Sequence, residues 1–213
     1  MYRLLKTQVS NTNYKVIHID TKRAGRGADE ETGYFLRELK MYHGVLARNW
    51  RDFRLTSPND PIYHVYRPTR DLQTPQDFND FFNYLLSQEI RLGKKTIQLP
   101  MLIVIDEYTD IFGGQTSRTQ YMPNFTKILS QGRATLQTVW IASQKTAFID
   151  ADIKANVGVR YVFRLPNPDD RKRISAMLGD KRVEKAIRFT HGFFYQNDML
   201  EWAMEPLFFN GRN

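Results

Sequence analysis

Met101-Leu102-Ile103-Val104-Ile105-Asp106-Glu107 is the stretch that decides the fold. Its apolar residues run unbroken into two acids, with no polar position to offer water. Such a run reads as a strand buried on both faces, at the centre of a parallel sheet. Open sheets of that kind hold their ligands beyond the carboxyl ends of their strands, where Asp106 and Glu107 fall. A carboxylate at that place suits a Mg²⁺ ion that bridges nucleotide phosphates, and its neighbour suits orienting or deprotonating an attacking water. The competing reading is a buried strand that runs into an acidic turn.

Outward from this strand, apolar runs alternate with segments of helical period, the pattern of an α/β fold with a mostly parallel sheet. Strands are expected at 14–20, 62–66, 99–105, 138–142 and 160–165. The clearest helix is expected over 75–91, where Phe78, Phe81, Phe82, Leu85, Leu86 and Ile90 recur on one face. Thr74 supplies its N-cap and Pro75 its first position. That aromatic stripe reads as core packing against the sheet. Further helices are expected at 31–41, 122–131 and 169–178, and a terminal hairpin from 192–196 and 199–209 around Asn197-Asp198. The polar stretches 21–30 and 113–120 read as loops at strand ends.

The 213 residues fit one large domain with a sizeable core. A net charge of +8 suits a polyanionic partner, although the cations are spread along the chain. The absence of cysteine excludes a disulfide scaffold and a thiolate zinc site. No apolar run approaches the roughly 18 residues that span a bilayer, and polar Lys6, Thr7 and Gln8 interrupt any signal-peptide pattern. A soluble cytoplasmic domain is expected.

Four features fall in order at the carboxyl ends of the expected strands. Asp20-Thr21-Lys22 follows the first, and Asp106-Glu107 ends the central one. Ser143-Gln144 ends the next, after a helix closing in Gln131-Gly132-Arg133. Lys154-Ala155-Asn156 then leads through Gly158 to Arg160. Gln144 is placed either to sense a γ-phosphate or its water or to cap a strand. Arg133 is placed either to reach a phosphate across a subunit boundary or to sit as a solvated cation near a helix C-terminus. As a finger it is expected at the rim of the nucleotide face. Arg23, Arg26 and Arg118 are candidate phosphate contacts for DNA. Arg171, Lys172 and Arg173 read as a solvated charged face.

This ordered set resembles the FtsK–HerA superfamily of ring-forming, ATP-driven DNA pumps. The resembling motifs are the strand 17–22 ending IDTK, LIVIDEYTDIF (102–112), LSQGRATLQTVWIASQ (129–144), DIKANVGVRYVFRLPNPDDRKRI (152–174) and THGFFYQND (190–198). Together they span most of the chain. The resemblance implies a RecA-like sheet flanked by helices with a closing β-hairpin. It implies Asp106 as the metal-binding acid, Glu107 as the catalytic glutamate, Gln144 as the sensor and Arg133 as a trans-acting arginine. Asn156 and Arg160 become subunit-interface residues near the nucleotide, with Asp20 and Lys22 beside it. ATP and Mg²⁺ are the implied cofactors, and double-stranded DNA threaded through a hexamer the implied partner. Capsid, pore or nuclease proteins are further implied partners. Family members serve genome packaging, conjugation and chromosome segregation.

One departure is large. The chain contains no G-x-x-x-x-G-K-[ST] phosphate loop. Gly93-Lys94 is followed by Lys95, and Gln88 stands where the leading glycine belongs. In family order the loop precedes the 17–22 strand, and residues 1–10 resemble the tail of the helix that follows it. The expectation is a single ATPase domain over 1–213, cut short before Met1. Two alternatives are a ring or scaffold subunit that has lost nucleotide binding, and a Mg²⁺-dependent nuclease using Asp20, Asp106 and Glu107.

Overall fold

The computed structural model of the protein describes residues 15–21, 44–57, 60–108, 111, 122–132, 134–143, 156–158, 160–162, 165–178, 194–196 and 202–203. The chain divides into two compact units, Met1–Gln144 and Lys145–Asn213.

The first unit is built on five strands, β1 (Lys15–Ile19), β2 (Val45–Ala47), β3 (Tyr63–Tyr66), β6 (Met101–Ile105) and β7 (Gln137–Ile141). All pair in parallel, in the order β2-β3-β1-β6-β7. Every residue of β6 is buried, as are the last four of β1 and all of β3. That is why these strands read as apolar runs rather than as alternating ones. The expected α/β class, mostly parallel strands included, holds.

Helix α1 (Pro75–Leu86) covers one face of this sheet. Its start is fixed by a reciprocal capping box: the Thr74 hydroxyl accepts from the Asp77 N–H, and the Asp77 carboxylate accepts from the Thr74 N–H. Phe81, fully buried, packs on Tyr66 of β3 with centroids 4.5 Å apart and on Phe53 at 6.1 Å. Helix α2 (Pro123–Gln131) lies beside α1, with Phe125 on Phe82 at 4.8 Å and the Asn124 N–H donating to Asn79 Oδ1 at 3.1 Å.

Helix α1 stops five residues short of the expected 91. The Ser87 N–H closes it on the Asn83 carbonyl at 3.0 Å, and the chain turns into an antiparallel ribbon, β4 (Glu89–Leu92) with β5 (Lys95–Gln98). Gly93, at φ +62°, opens the two-residue turn between them, a place where a positive φ is needed. Ile90 therefore belongs to a strand, not to the aromatic stripe of the helix.

The second unit holds an antiparallel sheet, β8 (Arg160–Val162), β9 (Phe194–Gln196) and β10 (Trp202–Ala203), in the order β10-β9-β8. The terminal hairpin expected from 192–196 and 199–209 is the β9–β10 pair. Helix α3 (Pro168–Leu178) also belongs to this unit. The expected helix 31–41, the loop 113–120 and all of 21–30 except Thr21 lie outside the described residues. Among the described residues no helix is long and apolar enough to cross a membrane.

Candidate functional site

Parallel pairing sets the strand ends of the first unit side by side. Ile19 is level with Tyr66 on one side and with Ile105 on the other, and Ile105 is level with Ile141. The next residues, Arg67, Asp20, Asp106 and Ala142, therefore form a row along the carboxyl edge. Backbone bonds continue past the strands and hold that row in place. The Asp20 N–H donates to the Tyr66 carbonyl at 2.9 Å, and the Ala142 N–H to the Ile105 carbonyl at 2.9 Å. The Tyr108 N–H returns to the Ala142 carbonyl at 2.9 Å, so the chain through Asp106 and Glu107 is anchored on both sides.

Asp106 and Glu107 are half-buried, reachable from solvent and held by fixed backbone. Ser143, also half-buried, lies one residue past Ala142 on the adjacent strand. Hard oxygen donors of this kind suit Mg²⁺, which takes one or two carboxylates and keeps the rest of its shell for water and phosphate. Among the described residues no three acids or histidines converge as a metal-holding group. Asp20, Asp106 and Glu107 thus do not form the cluster that the nuclease alternative requires.

Asp20 is buried, and both Arg67 Nε (2.9 Å) and the Arg67 Nη2 donate to its Oδ2. Arg67 was missing from the residues singled out in the sequence. The signal was available: it is an arginine one position past a strand end, as Asp20 is, and parallel register makes the two neighbours. Removing either partner from such a pair leaves a largely desolvated charge, a loss of about 3–5 kcal/mol in general.

Beneath this edge, His18 Nδ1 lies 3.0 Å from the Tyr63 hydroxyl. Val16, Tyr63, Val65, Leu102 and Val104 pack around it as one apolar cluster with Leu46 and Trp140. The acids are thus mounted on rigid strands, not on a free loop.

The remaining candidates fall elsewhere. Lys22, Arg133 and Gln144 lie outside the described residues, as do Arg23, Arg26 and Arg118. Gln144 directly follows Ser143. Arg133 lies between Gly132 and Ala134 in the sequence. The Gly132 carbonyl accepts from the Gln137 N–H at 2.8 Å, and the Leu136 carbonyl from the Met101 N–H at 3.1 Å. Both bonds lie at the amino edge of the sheet, a strand's length from the acids.

Asn156, exposed, and Arg160, the first residue of β8, belong to the second unit. Arg171 in that unit is not part of a solvated face. It is buried, and its Nη1 donates to the Leu165 and Pro166 carbonyls at 2.9 and 2.6 Å, tying down the segment that leads into α3. Lys172 and Arg173 beside it are exposed, as expected.

Two solved structures share this fold over most of the chain. The chain is similar to the B204 DNA-packaging ATPase from Sulfolobus Turreted Icosahedral Virus, with a TM-score of 0.54 and 14% identity over 90% of this chain and 97% of that one. It is equally similar to the genome packaging NTPase B204 from Sulfolobus turreted icosahedral virus 2 in complex with sulfate, at 0.54 and 15% over 88% and 93%. At these identities the likeness is one of fold. No family model matches the chain, and no curated protein matches it in sequence.

Proposed function

We propose that this chain is the core of an ATP-driven motor that moves double-stranded DNA, in genome packaging or DNA transfer. The observation that carries the reading is the acid pair Asp106-Glu107, held at the carboxyl end of the fully buried central strand in a fold like that of B204. In this reading Asp106 would hold Mg²⁺, and the ion would supply positive charge beside the phosphates. Glu107 orients the attacking water and takes its proton. Gln144, past the end of the neighbouring strand, senses the γ-phosphate. Asp20, fixed by Arg67, keeps the adjoining wall rigid beside Lys22. Arg133, Asn156 and Arg160 serve the junction with the next subunit of a hexameric ring. None of the 213 residues spells the G-x-x-x-x-G-K-[ST] cradle that the phosphates need.

The two acids are distinguished by what they act on, one the metal and the other the water. In protein that carries the phosphate cradle, Glu107→Gln is expected to bind ATP and hold it unhydrolysed, whereas Asp106→Asn is expected to weaken Mg²⁺-dependent nucleotide binding. Equilibrium binding of a fluorescent ATP analogue with and without Mg²⁺, alongside DNA-stimulated phosphate release, separates the two. Equal loss of affinity in both variants rejects the assignment. A second reading, a ring subunit without nucleotide chemistry, draws on the missing G-x-x-x-x-G-K-[ST]. It gains if the cradle-bearing protein binds no ATP and still assembles on DNA.

A further inference from the structure

The ribbon β4–β5 stands at the opposite edge of the sheet from the acids. It enters β6 through Leu99-Pro100, and the Lys15 N–H meets the Pro100 carbonyl at 3.1 Å at the start of β1. Its base is clamped. The Leu99 N–H donates to the Gln88 carbonyl at 2.9 Å, and the Gln88 Nε2 to the Tyr84 carbonyl of α1 at 2.9 Å. Its tip is bare: every residue from Arg91 to Thr96 is exposed, and Leu92 reaches 58%.

Isolated two-stranded ribbons are marginal in water, so this one persists because its base is fixed to α1 and β6. The tip reads Arg91-Leu92-Gly93-Lys94-Lys95, three cations in five residues without an acid. Register pairs Leu92 with Lys95, and Arg91 Nε bends back to the Gly93 carbonyl at 3.2 Å, which draws all three cations to the turn. Among the described residues none of them forms an ion pair. Like charges gathered on an exposed turn repel one another, and a polyanion relieves that repulsion. A two-stranded ribbon is also narrow enough for the major groove, about 12 Å wide.

We propose that the β4–β5 ribbon is a contact arm for the phosphate backbone of double-stranded DNA, with Arg91, Lys94 and Lys95 as the contacts. The inference rests on the reading that DNA is the partner and adds where it is touched: the amino edge of the sheet, away from Asp106 and Glu107. Binding there leaves the nucleotide edge open, so one subunit can hold both ligands at once.

The test is the salt dependence of binding of the full chain to a blunt duplex of arbitrary sequence, by fluorescence anisotropy. Each phosphate contact contributes about 0.9 to the slope of log K against log salt. The triple variant Arg91→Ala/Lys94→Ala/Lys95→Ala is expected to lower that slope by about 2.7, weakening binding roughly 500-fold at about 0.1 M salt. Lys94→Arg/Lys95→Arg is expected to keep the wild-type slope. Circular dichroism confirms that the variants fold, as substitutions on a bare tip should. If the wild type binds duplex and the triple variant keeps its slope, the arm is refuted and the DNA reading survives. If the wild type binds no duplex even at low salt, both fall. If Leu92→Ser dissociates the protein in sedimentation while the triple variant binds DNA normally, the ribbon is a contact between copies and the proposal is overturned.

Discussion

At the scale of single residues, burial sets one charge state that solution measurements can read. His64 on β3 is 1% exposed, and its Nε2 donates to the Pro61 carbonyl at 2.8 Å while Nδ1 is buried without a hydrogen-bond partner. Protonating Nδ1 would create a buried donor with nothing to accept it. Desolvation therefore holds the imidazole down to about 4, against the bond to Pro61, with Lys15 pushing the same way. Once unfolded, the same ring takes up a proton near 6.5. The unfolded chain binds more protons between those values, so this contribution is complete above about pH 6.5 and is lost as pH falls through about 4. The expected slope reaches about 1.4 kcal/mol per pH unit in that window. Urea unfolding of His64→Phe, which retains the edge contact with Phe53, should show a flatter pH dependence between about pH 4.5 and 6. A slope equal to wild type would mean that another group titrates there.

At the scale of elements, the turn from α2 into β7 is built around a close approach. A Cβ on Gly132 would meet the Gln137 carbonyl oxygen at 2.6 Å and the Ile128 carbonyl oxygen at 3.0 Å. Both are backbone atoms, one at the start of β7 and the other in α2, so neither can swing aside. Gly132→Ala is expected to destabilise the protein by about 1–3 kcal/mol, in the range of overpacking, read as a lower denaturation midpoint with an unchanged m-value. A wild-type midpoint would mean that α2 shifts freely and does not register β7. Elements of this kind also show what the sequence disclosed. The buried strands β1, β3 and β6 were legible because strands covered on both faces are spelled as largely apolar runs. The β4–β5 ribbon was not. Ile90 sits at helical spacing from Leu86, so the stripe of α1 seemed to run on through residues whose register belongs to a strand. At the site, Asp106 and Glu107 were legible from a single strand. The Asp20–Arg67 pair was not, because its residues are 47 apart and meet only through the register of β1 with β3.

At the scale of the whole molecule, the first unit has two chemically distinct edges. The acids lie past the carboxyl ends of the strands, and the residues flanking Arg133 lie at the amino ends. The strands between span about 17 Å at five residues each. Arg133 is proposed as a finger that reaches across a subunit boundary. In the proposed ring it acts on a neighbour's nucleotide or has no catalytic role. Arginine fingers contribute about 10³–10⁵ in rate, so Arg133→Ala rings that carry the phosphate cradle should lose ATP turnover while still binding nucleotide. Mixed rings give the sharper result. Rings of Glu107→Gln subunits alone are inactive, and so are rings of Arg133→Ala subunits alone. Mixed rings contain junctions where an intact Glu107 from an Arg133→Ala subunit faces an intact Arg133 from a Glu107→Gln subunit. Those junctions should recover measurable hydrolysis, peaking at intermediate mixing ratios. Subunit exchange is checked by native mass spectrometry, so that a negative result carries weight. Mixtures that exchange freely and remain inactive would remove Arg133 from the mechanism and leave Arg160, which opens β8 in the second unit, as the next arginine to substitute.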